Sequence, residues 1–177
     1  MVLRDSDDRR GLDRIKQTAW LNKLPLAVQV RSETLYLLKE AVQVFIDGYF
    51  AAAFLLCLSV IHHCLVEELQ WRGEIKGDDP GFKATLNTCK KIGILQNDLY
   101  DTLCLLVERR HPFVHFRNPK DEHSLGARVI SKKVPPEQLM EEDAKSAMTC
   151  MSQVFQATVH EWDGKVGTMP DAILFRF

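Results

Sequence analysis

The sequence predicts an all-α protein, a bundle of about five helices. Three observations carry that prediction. Apolar residues recur at helical spacing in several segments. Turn residues punctuate those segments at short intervals. One run, "YFAAAFLLCLSVIHHCLV", is apolar almost all round, as expected of a central buried helix. The 177 residues suit one domain with a real core. With 46% apolar and 27% charged residues, the composition is that of a globular protein.

The elements follow in order. Residues 1–30 read as a charged leader, with a short helix over "LDRIKQTAWLNKLP" ending before Pro25. "SETLYLLKEAVQVFID" places Leu35, Leu38, Val42, Phe45 and Ile46 on one face, with Ser32 as N-cap and Gly48 as stop. The long apolar helix then runs from about Tyr49 to Trp71. Its two histidines and the following "EEL" argue against a bilayer span. "RGEIKGDDPGF" is a turn-rich connection, and "KATLNTCKKIG" a short helix closed by Gly93. "QNDLYDTLCLLVERR" is the next helix, with Asn97 as N-cap and an interruption at Pro112. Residues 117–136 lack helical periodicity and read as a long loop or a small hairpin around "GARVISKKV". The last helix starts near Pro136 and runs to about Trp162, with Glu137, Glu141, Glu142 and Asp143 crowding its first turns. The helical bundle thus occupies residues 31–163, and residues 164–177 form a C-terminal tail.

The formal net charge is −1, so nucleic-acid binding would have to come from a local patch. The N-terminus is too charged for a signal peptide. Five cysteines without a paired framework point to reduced thiols and a cytoplasmic setting. Cys57 and Cys64 share a helix face near His62 and His63, but no second pair stands at ligand spacing. Core packing is the expectation there, with no metal and no cofactor. Trp20, Trp71 and Trp162 are expected to close the core or an interface.

One stretch stands apart. "LVERRHPFVHFRNPK" opens a basic segment in which Arg109, Arg110, Arg117, Lys120, Arg128, Lys132 and Lys133 face only Asp121 and Glu122. Such a segment attracts phosphate. With Pro112 starting a new turn, His115 would lie one turn beyond His111, and Arg110 would project into the same cleft. Arginine beside a base that titrates near neutrality suits phosphodiester cleavage without a metal. The guanidinium holds the phosphate, and the imidazole moves the proton of a ribose 2′-hydroxyl. The plainer alternative is a basic cluster that suits the C-terminal end of a helix.

"RHPFVH" also resembles the R-x4-H motif of HEPN domains, with Arg110 as the arginine, His111 as the polar residue after it and His115 as the histidine. The segment "NDLYDTLCLLVERRHPFVH" is similar to the motif-bearing helix of that family. "DGYFAAAFLLCLSVIHHCLVEEL" is similar to its long second helix, and "EEDAKSAMTCMSQVF" to its last. The resemblance spans roughly residues 32–160. It implies a metal-independent endoribonuclease acting as a homodimer with a shared cleft. Arg110, His115 and His111 would be catalytic, and Arg109, Arg117 and Lys120 would lie on the RNA backbone. It also implies toxin-like or phage-defence roles, with a separate regulatory or antitoxin chain. The alternative within the same resemblance is a non-catalytic binding or dimerisation module with an anion or nucleotide site. The family's second helix often carries an acidic residue facing the motif. The corresponding positions here are His62 or His63, with Glu67 and Glu68 one turn on.

Overall fold

The computed structural model describes residues 2–23, 28–116 and 121–161. Among these, seven α-helices form an all-α bundle: α1 (Val2–Gln17), α2 (Ser32–Ile46), α3 (Phe50–Trp71), α4 (Phe82–Lys91), α5 (Asn97–Val114), α6 (Leu125–Lys132) and α7 (Pro136–Thr158). A 3-10 turn, Ala19–Lys23, follows α1. Two two-residue strands, β1 (Val28–Gln29) and β2 (His160–Glu161), pair antiparallel with Gln29 opposite His160. The tail over residues 164–177 lies outside the described residues.

The central helix is α3, as its all-round apolarity predicts. It packs most extensively on α7 and α2. Phe54, Cys57, Leu58, Ile61 and Leu65 on α3 meet Leu38 and Phe45 of α2 and Met151, Val154 and Phe155 of α7 in one continuous core. By length and composition alone α3 could also cross a membrane; here half of its most apolar window is buried among its neighbours. Cys57 and Cys64 belong to this core, and burial pushes both thiols above their ordinary range. All five cysteines are free.

The join between α2 and α3 is tight. Gly48 takes φ +85°, and its N–H donates to the Phe45 carbonyl. The Arg14 guanidinium lies over this turn. Its Nε donates to the Ile46 carbonyl at 2.8 Å, and its cation sits 5.7 Å from the Phe50 ring centroid. That contact ties α1 to the body. Trp20 meets Phe155 with centroids 6.0 Å apart.

Buried carboxylates organise two ends of the bundle. At the C-terminal end of α3, Glu68 accepts from Arg72 Nε at 2.6 Å and from His160 Nε2 at 2.7 Å. Trp71 stacks on the same imidazole at 5.1 Å. Glu67 accepts from the Thr34 hydroxyl and from the Arg31 N–H. The short β1–β2 ladder is thereby anchored to α3. On α7, the fully buried Asp143 accepts from Arg109 Nη1 at 2.8 Å and from Arg128 Nη1 and Nη2 at 2.6 and 2.8 Å. One carboxylate thus joins α5, α6 and α7.

Several expectations need correcting, among them the N-caps of α2 and α5, which are Arg31 and Gln96 rather than Ser32 and Asn97. Residues 125–132 are not a hairpin but helix α6. Ser124 caps it by accepting from the Ala127 N–H at 3.2 Å, and Lys133 closes it in the left-handed region at φ 54°. The inward pull on Arg128 by Asp143 is long-range and leaves no periodic signature. Pro112 does not interrupt α5, which continues to Val114. The missing N–H costs one hydrogen bond in the last turn. Phe113 offsets that cost by packing edge-on against Phe54 with centroids 6.1 Å apart. The leader, finally, is helical from Val2 rather than from residue 12.

Replacing Asp143 by Ala leaves two guanidinium groups facing each other without their shared acceptor. The expected loss is about 3–5 kcal/mol in urea unfolding. A loss below about 1 kcal/mol contradicts the clamp.

Candidate functional site

The site lies where the end of α5 meets α3 and the turn before α4. Side chains on successive helical positions diverge by about 100°, so the run 108–111 sends its groups to different places. Glu108 reaches Lys83 of α4 at 3.7 Å. Arg109 turns inward to Asp143 and is only 20% exposed. Its guanidinium is committed to the α7 carboxylate, so its role in this structure is to anchor the helix. Arg110 is half-buried. Its Nε is buried and has no hydrogen-bond partner among the described residues.

His62 of α3 lies within electrostatic reach of Arg110. The imidazole stacks on Phe82 with centroids 4.5 Å apart and planes 15° from parallel. Its Nε2 lies 3.0 Å from Asp79 Oδ1 and 3.4 Å from Thr85 Oγ1. Asp79 is itself oriented by the Gly81 N–H, which donates to Oδ1 at 2.7 Å. A carboxylate accepts only, so it selects the tautomer with the proton on Nε2 and leaves the lone pair on Nδ1. Burial lowers the His62 pKa below the ordinary histidine range. The Asp79 charge acts the other way, while His63 and Arg110 disfavour a second positive charge. Burial and the Arg110 charge thus both favour the neutral form of His62.

One helical turn apart, the rings of His111 and His115 have centroids 5.8 Å from each other. His115 is the C-cap of α5, with its N–H donating to the His111 carbonyl at 2.8 Å. Its backbone is extended at φ −133°, ψ 139°, and the residue is exposed. The two histidines named by the sequence thus meet because α5 runs through Pro112, not because a new turn begins there. Arg117 and Lys120 lie outside the described residues.

The sequence offered His62 or His63 as the position facing the motif without deciding between them, and Asp79, Phe82 and Thr85 were missed. The signal for Asp79 was local: Asp-Pro-Gly is a turn in which the Asp side chain takes a backbone N–H. Nothing in the spacing tells which histidine that carboxylate will meet. His63, the alternative position, faces the other way, with Nδ1 3.2 Å from Thr34 Oγ1. Among the described residues no group of three or more His, Cys, Asp or Glu side chains is placed to hold a metal.

The fold and the site define a class: an all-α bundle that carries an arginine and two histidines at the end of α5, with His62 of α3 within electrostatic reach of that arginine. No protein-family model, curated protein or solved structure matches the chain.

Removing the Asp79 charge withdraws the one neighbour that favours imidazolium. In Asp79→Asn the His62 pKa, followed by imidazole NMR, is expected to fall further; a rise contradicts the pair. The linkage sign follows from the lowered folded-state value. The unfolded chain binds the proton more readily, so this group's stability is full above the ordinary value of about 6.5. It is lost as pH falls from there through the folded value. His62→Gln should remove that part of the acid sensitivity.

Proposed function

We propose that the chain is a metal-independent endoribonuclease of HEPN type that acts as a homodimer. The observation that carries this reading is Arg110. It is a partly buried cation without a hydrogen-bond or ion-pair partner among the described residues, within electrostatic reach of His62 and on the helix end that carries His111 and His115. A guanidinium in that state is ready to take an anion, and a phosphodiester brings two charge-bearing oxygens to its planar fork. The resemblance of "RHPFVH" to the HEPN motif supports the same assignment.

In the mechanism His115 is the proton carrier and Arg110 the phosphate-stabilising group. The ribose 2′-hydroxyl loses its proton to an imidazole, and the 2′-oxygen attacks phosphorus. The bond to the 5′-oxygen breaks, and that oxygen receives a proton as it leaves. The products are a 2′,3′-cyclic phosphate and a 5′-hydroxyl. Arg110 counters charge on the non-bridging oxygens as the transition state forms. His111, whose tilted ring lies one turn from that of His115, supports its orientation. His62 stays uncharged and so does not compete with Arg110 for the phosphate. Two copies with facing sites would grip one strand from both sides, and a separate partner chain could regulate access.

The test uses mixed RNA in excess EDTA. The wild type is expected to cleave it. His115→Ala should lose at least about 100-fold in rate and Arg110→Ala a similar factor. Activity abolished by EDTA, or undiminished in His115→Ala, contradicts the mechanism. Tight binding of RNA or nucleotide with no cleavage by any form would favour the non-catalytic module.

A further inference from the structure

Phe116 is 102% exposed, as open to water as a side chain in a free peptide. Three residues earlier Phe113 packs on Phe54, so the same short stretch has a use for one aromatic ring and leaves the other out. A lone exposed apolar residue is ordinary on any surface. The position of this one is not. It directly follows His115, whose extended backbone sends consecutive side chains to opposite sides of the chain. One side of this segment therefore carries the imidazole and the other a bare phenyl ring, one residue away. Val114, on the other side of His115 in sequence, is 40% exposed.

We infer that Phe116 is a stacking platform for a nucleobase of the strand whose phosphate lies at Arg110 and His115. The inference rests on the nucleic-acid reading of the site and adds a specificity to it. A base can lie on the ring only when it is unpaired and free to leave its own stack, so the platform selects single strands over duplexes. The positive groups hold the backbone irrespective of sequence, and the ring accepts the face of whichever base follows. The ring takes no part in proton transfer.

The experiment measures binding of a single-stranded oligonucleotide with 2′-deoxy sugars, which the proposed chemistry cannot cleave, carrying a fluorescent 2-aminopurine. Salt is fixed throughout. Among the described residues Phe116 makes no packing contact that its loss would disturb, and circular dichroism checks that each variant is folded. Phe116→Ala and Phe116→Leu are expected to bind about tenfold more weakly and to lose the fluorescence quenching that stacking produces. Phe116→Trp should retain both, and a duplex of the same sequence should show little difference among the four proteins. Equal binding by Phe116→Ala and wild type, or by Phe116→Leu and Phe116→Trp, overturns the inference. So does a change of sedimentation coefficient in Phe116→Ala, which would make the ring part of a contact between copies. If the wild type cleaves RNA while the Phe116 variants bind as it does, only this inference falls. If the wild type neither binds nor cleaves RNA, the nuclease reading falls with it.

Discussion

The structure depends on what happens to Asp143. It is a carboxylate with no exposed surface, on the helix that packs most heavily against the core, and it receives three hydrogen bonds from two arginines. Burying a carboxylate alone would be prohibitive, and each guanidinium alone would be nearly so. Together they are satisfied only when α5, α6 and α7 stand in one arrangement. The pairing therefore contributes specificity as much as stability. It fixes the end of α5, and the end of α5 is where the site begins.

Adjacent arginines on that helix have opposite tasks. Arg109 is spent on the bundle, and Arg110 is left without a counter-ion among the described residues. Phe113 then seats the last turn on Phe54, which allows the helix to run past a proline that would otherwise weaken it. The continuity of that turn brings His111 and His115 together. On the facing side the Asp-Pro-Gly turn delivers Asp79 to His62, and α4 supplies Phe82 and Thr85 around the ring. A site drawn from three elements is held by contacts that lie mostly outside it.

Much of the architecture was legible in the sequence because periodicity and punctuation are local. Leu35, Leu38, Val42 and Phe45 marked α2, the apolar run of α3 marked the centre, and Gly48 and Gly93 marked turns with positive φ. Helix α6 was not legible, since β-branched Val129 and Ile130 suggest a strand and its stabilising partner lies fifteen residues away. The site divides in the same way. Arg110, His111 and His115 share one short segment and could be named together. Arg109 looked equally available, and its engagement with Asp143 depends on a contact 34 residues distant. His62 and Asp79 belong to separate elements whose meeting only the packing of α3, α4 and α5 decides.

The chemistry proposed for this helix end acts on a phosphodiester through the neighbouring ribose hydroxyl. The most direct measurement compares a single RNA linkage with the same oligonucleotide carrying one 2′-deoxy sugar at that position, with products identified by mass. That chemistry gives a 2′,3′-cyclic phosphate and a 5′-hydroxyl from the first, and an intact chain from the second. Cleavage of the deoxy linkage, or a product ending in a free 3′-hydroxyl, would contradict it.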